Sequence, residues 1–400
     1  MLNGKSVLIG ITGGIAAYKI AGLCSSLVKL NADTNVMMTE NACRFISPLT
    51  FETLTNSKCM TDTFDRMFEF DVKHISAAKK ADVLLIAPAT ANVIAKLAYG
   101  IADDMLTTTA LACRCPKIVA PAMNTNMYLN PVVQNNLKKL AEYGWTVVPP
   151  DSGRLACGDS GTGKMPSEKT LLSYILKETA CKKDLSGKKV LVTAGATSES
   201  IDPVRFITNH STGKMGYAAA CRAMLRGAEV TLVSGRTSIE PPPFVNTINV
   251  LSALEMYNAV IKYSSSADII IMAAAVADYR PIKAETDKIK KSEQTITINL
   301  ERTDDILSAV CKNRKKNQFI CGFSMETENL IENSRKKLYN NGCDMIAANN
   351  LKIEGAGFGT DTNVLTLITK SFEEELPIMT KEEAADRILD EAVKKTGDNQ

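Results

Sequence analysis

Short apolar runs bounded by polar, glycine-bearing turns recur along this chain. Ser6–Ile11, Thr34–Thr39, Asp82–Pro88, Lys117–Ala120 and Trp145–Val148 read as strands in the first half. Lys189–Thr193, Glu229–Ser234, Asp268–Ala273, Phe319–Phe323 and Met345–Ala348 read the same way in the second. Continuous apolar runs, rather than strict alternation, fit strands covered on both faces, as in parallel sheets. Between them, apolar residues at helical spacing predict helices over Ile15–Leu30, Asn41–Ile46, Val93–Tyr99, Leu172–Lys183, Tyr217–Arg226, Ala253–Ser264, Glu328–Asn340 and Lys381–Lys395. Thr295–Leu300 alternates like a half-exposed strand, and Thr362–Thr369 reads as an edge hairpin. Asp151–Pro166, rich in glycine and polar residues, reads as a long flexible loop.

The pattern restarts. Leu2-Asn3-Gly4-Lys5-Ser6-Val7-Leu8-Ile9 opens the chain, and Leu185-Ser186-Gly187-Lys188-Lys189-Val190-Leu191-Val192 repeats its form near the middle. Each reads as a turn and a first strand, with a glycine-bearing loop before a helix. The expected architecture is α/β: two three-layer, Rossmann-like domains with mostly parallel sheets, over residues 1–184 and 185–400, the second carrying an added edge hairpin. A length of 400 residues suits that division.

Charge narrows the partners. With 47 basic and 44 acidic side chains the formal net charge is +3, which gives no reason to expect nucleic acid or an anionic membrane. No window approaches the roughly 18 consecutive apolar residues of a membrane span. The 11 cysteines are odd in number, scattered and without a Cys-x-x-Cys pair, which fits a reducing cytoplasm. Only His74 and His210 are available for imidazole chemistry, so a histidine-rich metal site is excluded.

Candidate chemistry lies at strand ends, where ligands of parallel sheets bind. Thr12-Gly13-Gly14 joins a strand to a helix and suits a phosphate, whose charge is favoured at a helix N-terminus. It lacks the third glycine of the dinucleotide fingerprint, where Ala16 and Ala17 stand instead. Ala89-Thr90-Ala91-Asn92 and Pro121-Ala122-Met123-Asn124-Thr125-Asn126-Met127 end two consecutive strands, so in a parallel sheet they line one crevice. Taken alone, Asn124 also reads as a helix cap. Gly158 to Lys164 imitates a P-loop, but Met165 replaces the magnesium-binding hydroxyl and Pro166 breaks the helix that must follow. A glycine-rich lid carrying Cys157 fits that stretch better. In the second half, Ile201–Gly216 is a long loop in which Arg205 and Lys214 could grip an anion and Asn209 could meet a carbonyl. Ala273–Arg280 ends a strand with small residues and Asp278, which suits a nucleotide with magnesium. Lys288, Lys290 and Lys291 read as a polyphosphate site or as a solvated face.

His74, the turn around Thr90, the Asn124 segment and Ala156-Cys157-Gly158 together resemble the FMN-dependent cysteine decarboxylases that act on phosphopantothenoylcysteine. The resemblance covers roughly residues 1–180. It implies that FMN is held by Gly13, Gly14, Ile15, Thr39, Thr90, Ala91, Asn92, Val93 and Met123. It implies oxidation of the cysteinyl β-carbon to a thioaldehyde, loss of CO2, and reduction of the resulting enethiolate by the same flavin. Asn124 is then expected to grip the substrate carboxylate, Cys157 to donate a proton, and His74 to orient the thiol or move a proton.

The second half, roughly 186–395, resembles the bacterial, CTP-using phosphopantothenate–cysteine ligases through Thr193–Thr197, Ile201–Gly216, Ala273–Arg280, Lys288-Ile289-Lys290-Lys291, Gly322-Phe323 and Gly357–Asn363. That implies an acyl-cytidylate formed from CTP with loss of pyrophosphate, then attack by the amine of cysteine and departure of CMP. Asn209 would hold the acyl carbonyl and Lys288 would bind phosphate. Ala273, Ala274, Asp278, Asp304, Asp305, Ile306, Phe323, Lys337 and Asn341 would meet the nucleotide, with Mg2+ assisting. The family places two lysines four residues apart on the helix after Gly-Phe. Lys337 fits the first, but Asn341 stands at the second and cannot neutralise phosphate.

The expectation is therefore a bifunctional cytoplasmic enzyme of coenzyme A biosynthesis, with phosphopantothenate, cysteine and CTP as small-molecule substrates. The resemblance implies trimers of the flavin domain and dimers of the ligase domain, assembled into a dodecamer. Alternatives are a flavin decarboxylase of peptidyl cysteine with an inactive second domain, a flavin-binding regulatory subunit, and a nicotinamide dehydrogenase.

Overall fold

The computed structural model describes residues 2–63, 73–156, 158–290, 296–326, 329–350, 357 and 359–397. They form two compact units, Met1–Cys181 and Lys182–Gln400. Lys183, Asp184 and Leu185 belong to the second. Lys183 Nζ donates to Leu225 O at 2.6 Å, Leu185 N donates to Arg226 O at 3.0 Å, and the Arg226 guanidinium makes paired bonds of 2.9 and 2.8 Å to Asp184.

In the first unit, β1 (Ser6–Ile11), β2 (Asp33–Met38), β3 (Val83–Ala89), β4 (Lys117–Pro121) and β5 (Trp145–Val147) make one parallel sheet in the order β2-β1-β3-β4-β5. The order reverses between β1 and β3, so the crevice of this sheet opens at their C-terminal ends. Helices α1 (Ile20–Lys29), α2 (Glu40–Cys43), α3 (Pro48–Thr55), α4 (Lys73–Lys80), α5 (Ala91–Tyr99), α6 (Met105–Ala112), α7 (Thr125–Leu129), α8 (Pro131–Glu142) and α9 (Glu168–Thr179) complete it. Successive residues of β1 serve opposite faces. Val7, Ile9 and Ile11 pack with Ile20, Leu23 and Ile175 on one side, while Leu8 packs with Ile94, Leu106 and Leu137 on the other. Burial on both faces is why these strands are apolar throughout, and each such side chain contributes about 1.5–3 kcal/mol.

Three expectations change here. The helix expected from Ile15 begins as a single 3-10 stretch, Ile15–Lys19, before α1. The helix expected over Asn41–Ile46 shortens to α2. The loop expected over Asp151–Pro166 is an antiparallel hairpin of β6 (Asp151–Arg154) and β7 (Ser160–Lys164). Glycines at 153 and 163 obscured that strand pattern.

In the second unit the main strands are β8 (Lys189–Ala194), β11 (Glu229–Ser234), β12 (Asn246–Asn249), β13 (Ile269–Met272), β16 (Phe319–Glu326) and β17 (Met345–Asn350), with β19 (Leu365–Thr369) and β20 (Glu373–Glu375) at one edge. Their order is β12-β11-β8-β13-β16-β17-β19-β20, parallel as far as β17 and antiparallel beyond it. Short pairs lie outside the sheet: β9 (Ser198–Ser200) with β10 (Phe206–Thr208), β14 (Tyr279–Pro281) with β15 (Leu300–Arg302), and β18 (Thr362–Asn363) with β21 (Met379–Thr380). The edge hairpin is thus β19–β20, and Thr362–Thr369 is split between two pairings. Of the strand expected over Thr295–Leu300, Thr295 lies outside the described residues and only Leu300 enters β15; the exposed Ile296 and Ile298 alternate without a sheet to cover them. Helices α11 (Ala253–Ser264), α12 (Ile306–Lys312) and α13 (Leu330–Asn341) cover one sheet face through Met256, Val260, Val310 and Leu338. Helices α10 (Lys214–Leu225) and α14 (Lys381–Gly397) pack on the other.

Candidate active sites

In the first unit, Thr12 stitches the switch point together. It is fully buried, its hydroxyl donates to Pro88 O at 2.6 Å, and it accepts from Thr90 N at 3.0 Å. A side chain at Gly13 would stand 2.5 Å from Asn41 Cβ, so the backbone itself must fill that position. Thr90 caps α5 by accepting from Val93 N at 3.4 Å. The N–H groups of Ala91 and Asn92, in the first turn of α5, have no intrahelical acceptor. These turns border a cavity of about 600 Å3 whose wall includes Gly13, Gly14, Ile15, Thr90, Ala91 and Met123. Asn92, Val93 and Thr39 are not on that wall. Val93 points into the core, and Thr39 caps α2, its hydroxyl accepting from Ala42 N at 3.3 Å.

Asn124 also lines the cavity. Its Oδ1 accepts from Asn126 N at 2.8 Å, which caps α7 and leaves Nδ2 as the group it presents. Nδ2 donates to the Asp159 carboxylate at 3.3 Å, so the amide already holds a carboxylate of the chain. The cap reading and the ligand reading of Asn124 are compatible, because they use different atoms. The hairpin is seated on this turn by close backbone approach. Met123 N donates to Gly163 O at 3.0 Å, and a Cβ on Gly163, whose φ is +145°, would stand 2.3 Å from Met123 O. Lys164 lies on β7 and the next helix starts only at Glu168, so the imitation P-loop has no helix to supply phosphate-binding amides. His74 is half-buried near the start of α4 and is not on the cavity wall. Cys157 lies outside the described residues.

In the second unit, the switch point falls between β8 and β13. Thr193 Oγ1 accepts from Ala274 N at 3.1 Å and Thr197 Oγ1 from Ala277 N at 2.9 Å, while Ala275 N donates to Gly195 O at 2.9 Å. A Cβ on Gly216 would stand 2.6 Å from Thr193 O, so the first turn of α10 meets the end of β8 backbone to backbone. Asn209 Nδ2 donates to the carbonyls of Ala275 and Val276 at 3.2 and 3.3 Å. Thr303 N donates to Asp278 O at 3.0 Å, which brings Asp304 and Asp305 beside that turn; Asp305 caps α12, ahead of Ile306, by accepting from Ser308 N at 2.9 Å. Phe323 follows the β13–β16 pair Met272–Gly322, next to Ala273, and Lys337 Nζ donates to its carbonyl at 2.9 Å. The expected nucleotide residues from Ala273 to Lys337 therefore gather at one edge of the sheet. Lys288 and Asn341 are not fixed to that edge by these contacts. Lys288 is exposed on the segment after β14. Asn341 is the last residue of α13, about 6 Å further along the helix than Lys337 and away from the strand ends.

Lys214 is committed to the chain itself, donating to Gly359 O at 2.7 Å and to Asp361 at 2.6 Å; that bond holds the Asp361 carboxyl below its usual pKa. Lys381 is buried and donates to Thr360 O and Thr362 O at 2.5 and 2.9 Å, with desolvation pushing its pKa down. Among the described residues no group of three or more His, Cys, Asp or Glu could hold a metal ion. No helix among them is long and apolar enough to cross a membrane.

Sequence reading covered the stretches holding Thr12, Asp159 and Asp202 without giving these three side chains a role of their own. Thr12 and Asp159 each sit beside a glycine that was noticed, and a polar side chain next to such a turn is the available signal. Asp202 precedes Pro203 in the manner of an Asx turn.

Residues 1–180 match the flavoprotein family, and residues 185–396 match the DNA/pantothenate metabolism flavoprotein C-terminal domain family. The chain is 46% identical over 407 residues to the coenzyme A biosynthesis bifunctional protein CoaBC of Bacillus subtilis (strain 168), covering 100% of both. It is 44% identical over 390 residues to the protein of the same description from Vibrio cholerae, covering 97% of this chain and 98% of that one. A crystal structure of the C-terminal domain of a CoaBC protein aligns with 55% of this chain and 100% of its own, at 42% identity and a TM-score of 0.47.

Proposed function

The chain belongs to the CoaBC family of bifunctional coenzyme A biosynthesis proteins, and from that premise we propose how its two units divide the work. It is an enzyme with phosphopantothenoylcysteine decarboxylase and phosphopantothenate–cysteine ligase activities. The observation that carries this reading is likeness over the whole length of both chains, with each half matching its own family.

The first unit is a flavoprotein, and FMN is assigned to its cavity. The fit rests on glycine backbone at Gly13 that no side chain could replace, and on the spare amides that open α5. Gly13, Gly14, Ile15, Thr90, Ala91 and Met123 would hold the cofactor from the cavity wall, with the Asn92 backbone N–H behind them, whereas Thr39 and Val93 lie off that wall. Bound there, FMN supplies a two-electron acceptor and donor for the thiol-bearing carbon of the substrate. Asn124 Nδ2 holds the substrate carboxylate, since its Oδ1 is taken by the helix cap. Cys157 protonates the enethiolate left after CO2 departs. His74 orients the thiol or carries its proton.

In the second unit, Asn209 holds the acyl carbonyl of the activated intermediate through Nδ2, which already has carbonyl partners in Ala275 and Val276. Lys288 neutralises phosphate. Ala273, Ala274, Asp278, Asp304, Asp305, Ile306, Phe323 and Lys337 form the nucleotide wall, with Asn341 one helical turn beyond Lys337. Mg2+ arrives with CTP, since magnesium commonly needs only one or two protein carboxylates beside phosphates and water. An amide at Asn341 leaves one phosphate charge fewer compensated than a lysine would. The trimeric, dimeric and dodecameric assembly and the cytoplasmic location stand as parts of the same reading.

The test is an absorbance spectrum of the purified chain, followed by incubation with phosphopantothenate, CTP, Mg2+ and cysteine. Flavin bands with both CMP and phosphopantetheine are expected. Flavin bands without CMP would remove the ligase assignment, and a colourless protein that takes up no FMN would remove the decarboxylase assignment. Cys157→Ser should stall the decarboxylase after CO2 loss while CMP release continues; equal loss of both would contradict the role given to Cys157.

A further inference from the structure

The segment carrying Lys288 is tied to the loop carrying Asn209, and the knot is Asp202. Its carboxylate accepts from Val204 N at 2.8 Å, Arg205 N at 2.7 Å and Ile289 N at 3.2 Å, and pairs with the Arg205 guanidinium at 3.0 Å. The Asp202 side chain is fully shielded from solvent, whereas Lys288 and Lys290 on either side of Ile289 are exposed. Arg205 also donates to Ile289 O at 2.5 Å, so both backbone groups of Ile289 are held by this aspartate–arginine pair. A second tie lies upstream, where Glu285 N donates to Ile201 O at 2.9 Å. Downstream of Arg205 the chain passes through β10 and reaches Asn209, whose amide is fixed to the end of β13. Lys288, read as a phosphate binder, and Asn209, read as a carbonyl binder, thus share one anchor.

We propose that Asp202 is a positioning residue for ligation, holding the Lys288 segment over the nucleotide site. The proposal rests on the ligase reading of the second unit. Arg205, offered by the sequence as an anion grip, is in this account the other half of the anchor. The physical consequence is specific. Releasing Ile289 lets the segment spend only a fraction of its time in place, and apparent affinity falls by that fraction. Nucleotide binding at saturation restores the placed state. Loss of the anchor therefore raises the KM for CTP and spares kcat. A merely misfolded second unit would do the reverse, lowering kcat through loss of active enzyme at unchanged KM.

The experiment uses the full-length chain with Asp202→Ala and Asp202→Asn, and measures ligation against CTP concentration. Decarboxylation by the first unit serves as the internal control. A KM for CTP raised about tenfold or more, with kcat within about twofold and decarboxylation unchanged, is expected. Limited trypsin digestion gives a second readout. Cleavage after Lys288 and Lys290 should accelerate in both variants and slow again when CTP with Mg2+ is added. Ile289→Pro removes the same tie from the other side by deleting the N–H, and should reproduce the raised KM with Asp202 intact, its cleavage being read after Lys290 only because trypsin does not cut before proline. An unchanged KM together with unchanged cleavage would overturn the proposal. Faster cleavage in a chain that shows no CTP-dependent ligation even as wild type would instead remove the ligase reading and leave the anchor standing.

Discussion

Single side chains in this molecule carry more than their size suggests. Thr12 closes the turn between β1 and β3 with one hydroxyl, so Thr12→Val keeps the shape and strands a buried Thr90 N–H and Pro88 carbonyl. The expected cost is about 1–3 kcal/mol in denaturant unfolding of the first unit, accompanied by weaker flavin retention. Asn209→Asp replaces the donor facing Ala275 O and Val276 O with an acceptor. Ligation should fall by about 10²–10³-fold with decarboxylation intact, measured as CMP and CO2 release on one preparation. Asp202 adds a pH dependence. Burial opposes its ionisation, but the N–H groups of Val204, Arg205 and Ile289 and the charge of Arg205 hold its pKa below the ordinary 3.8. A depressed carboxyl contributes stability that is present above the unfolded-state value and lost as pH falls through the folded one. Between pH 5 and 3 the unfolded chain takes up a proton at this carboxyl while the folded chain does not, so wild type should lose stability on acidification and Asp202→Asn should flatten the acid limb of its unfolding curve. At this scale, sequence reading could name Asn124 and Asn209 as amides at strand ends. It could not find Asp202, because what makes that residue matter is a contact with Ile289 far along the chain.

Elements were legible where burial dictated their composition. The strands at Ser6–Ile11 and Glu229–Ser234 and the helix at Ala253–Ser264 were expected to the residue, because a run apolar on both faces or at helical spacing admits little else. The hairpin β6–β7 was missed since its residues face solvent and pack through glycine. Thr295–Leu300 was overread since alternation without a covering sheet has no structural meaning. The seating of the hairpin is testable. Gly163→Ala would force a Cβ to within 2.3 Å of Met123 O at a φ that L-residues avoid, and so push β7 off the Asn124 turn. Decarboxylation should drop with a raised KM for the carboxylate substrate, while ligation stays as it was.

For the whole molecule, the useful quantity is where one unit ends. The clasp between Arg226 and Asp184, with buried Leu185, assigns residues 182–185 to the second unit. A protease site inserted between Cys181 and Lys182 should leave ligation intact after cleavage. A second half begun at Ser186 would lack Asp184 and unfold more easily, by about 1.5–3 kcal/mol for the charged hydrogen bonds alone, as read from its denaturant midpoint.

The edge strand β20 has a further consequence. It is Glu373-Glu374-Glu375, three residues long, with Glu373 paired to Arg335 and Glu374 to Arg387. An open sheet border is a template on which another chain could add a strand. Here the border is too short to guide one and too acidic to welcome a second copy of itself, so at this edge an eight-stranded sheet can remain soluble without a partner to cap it.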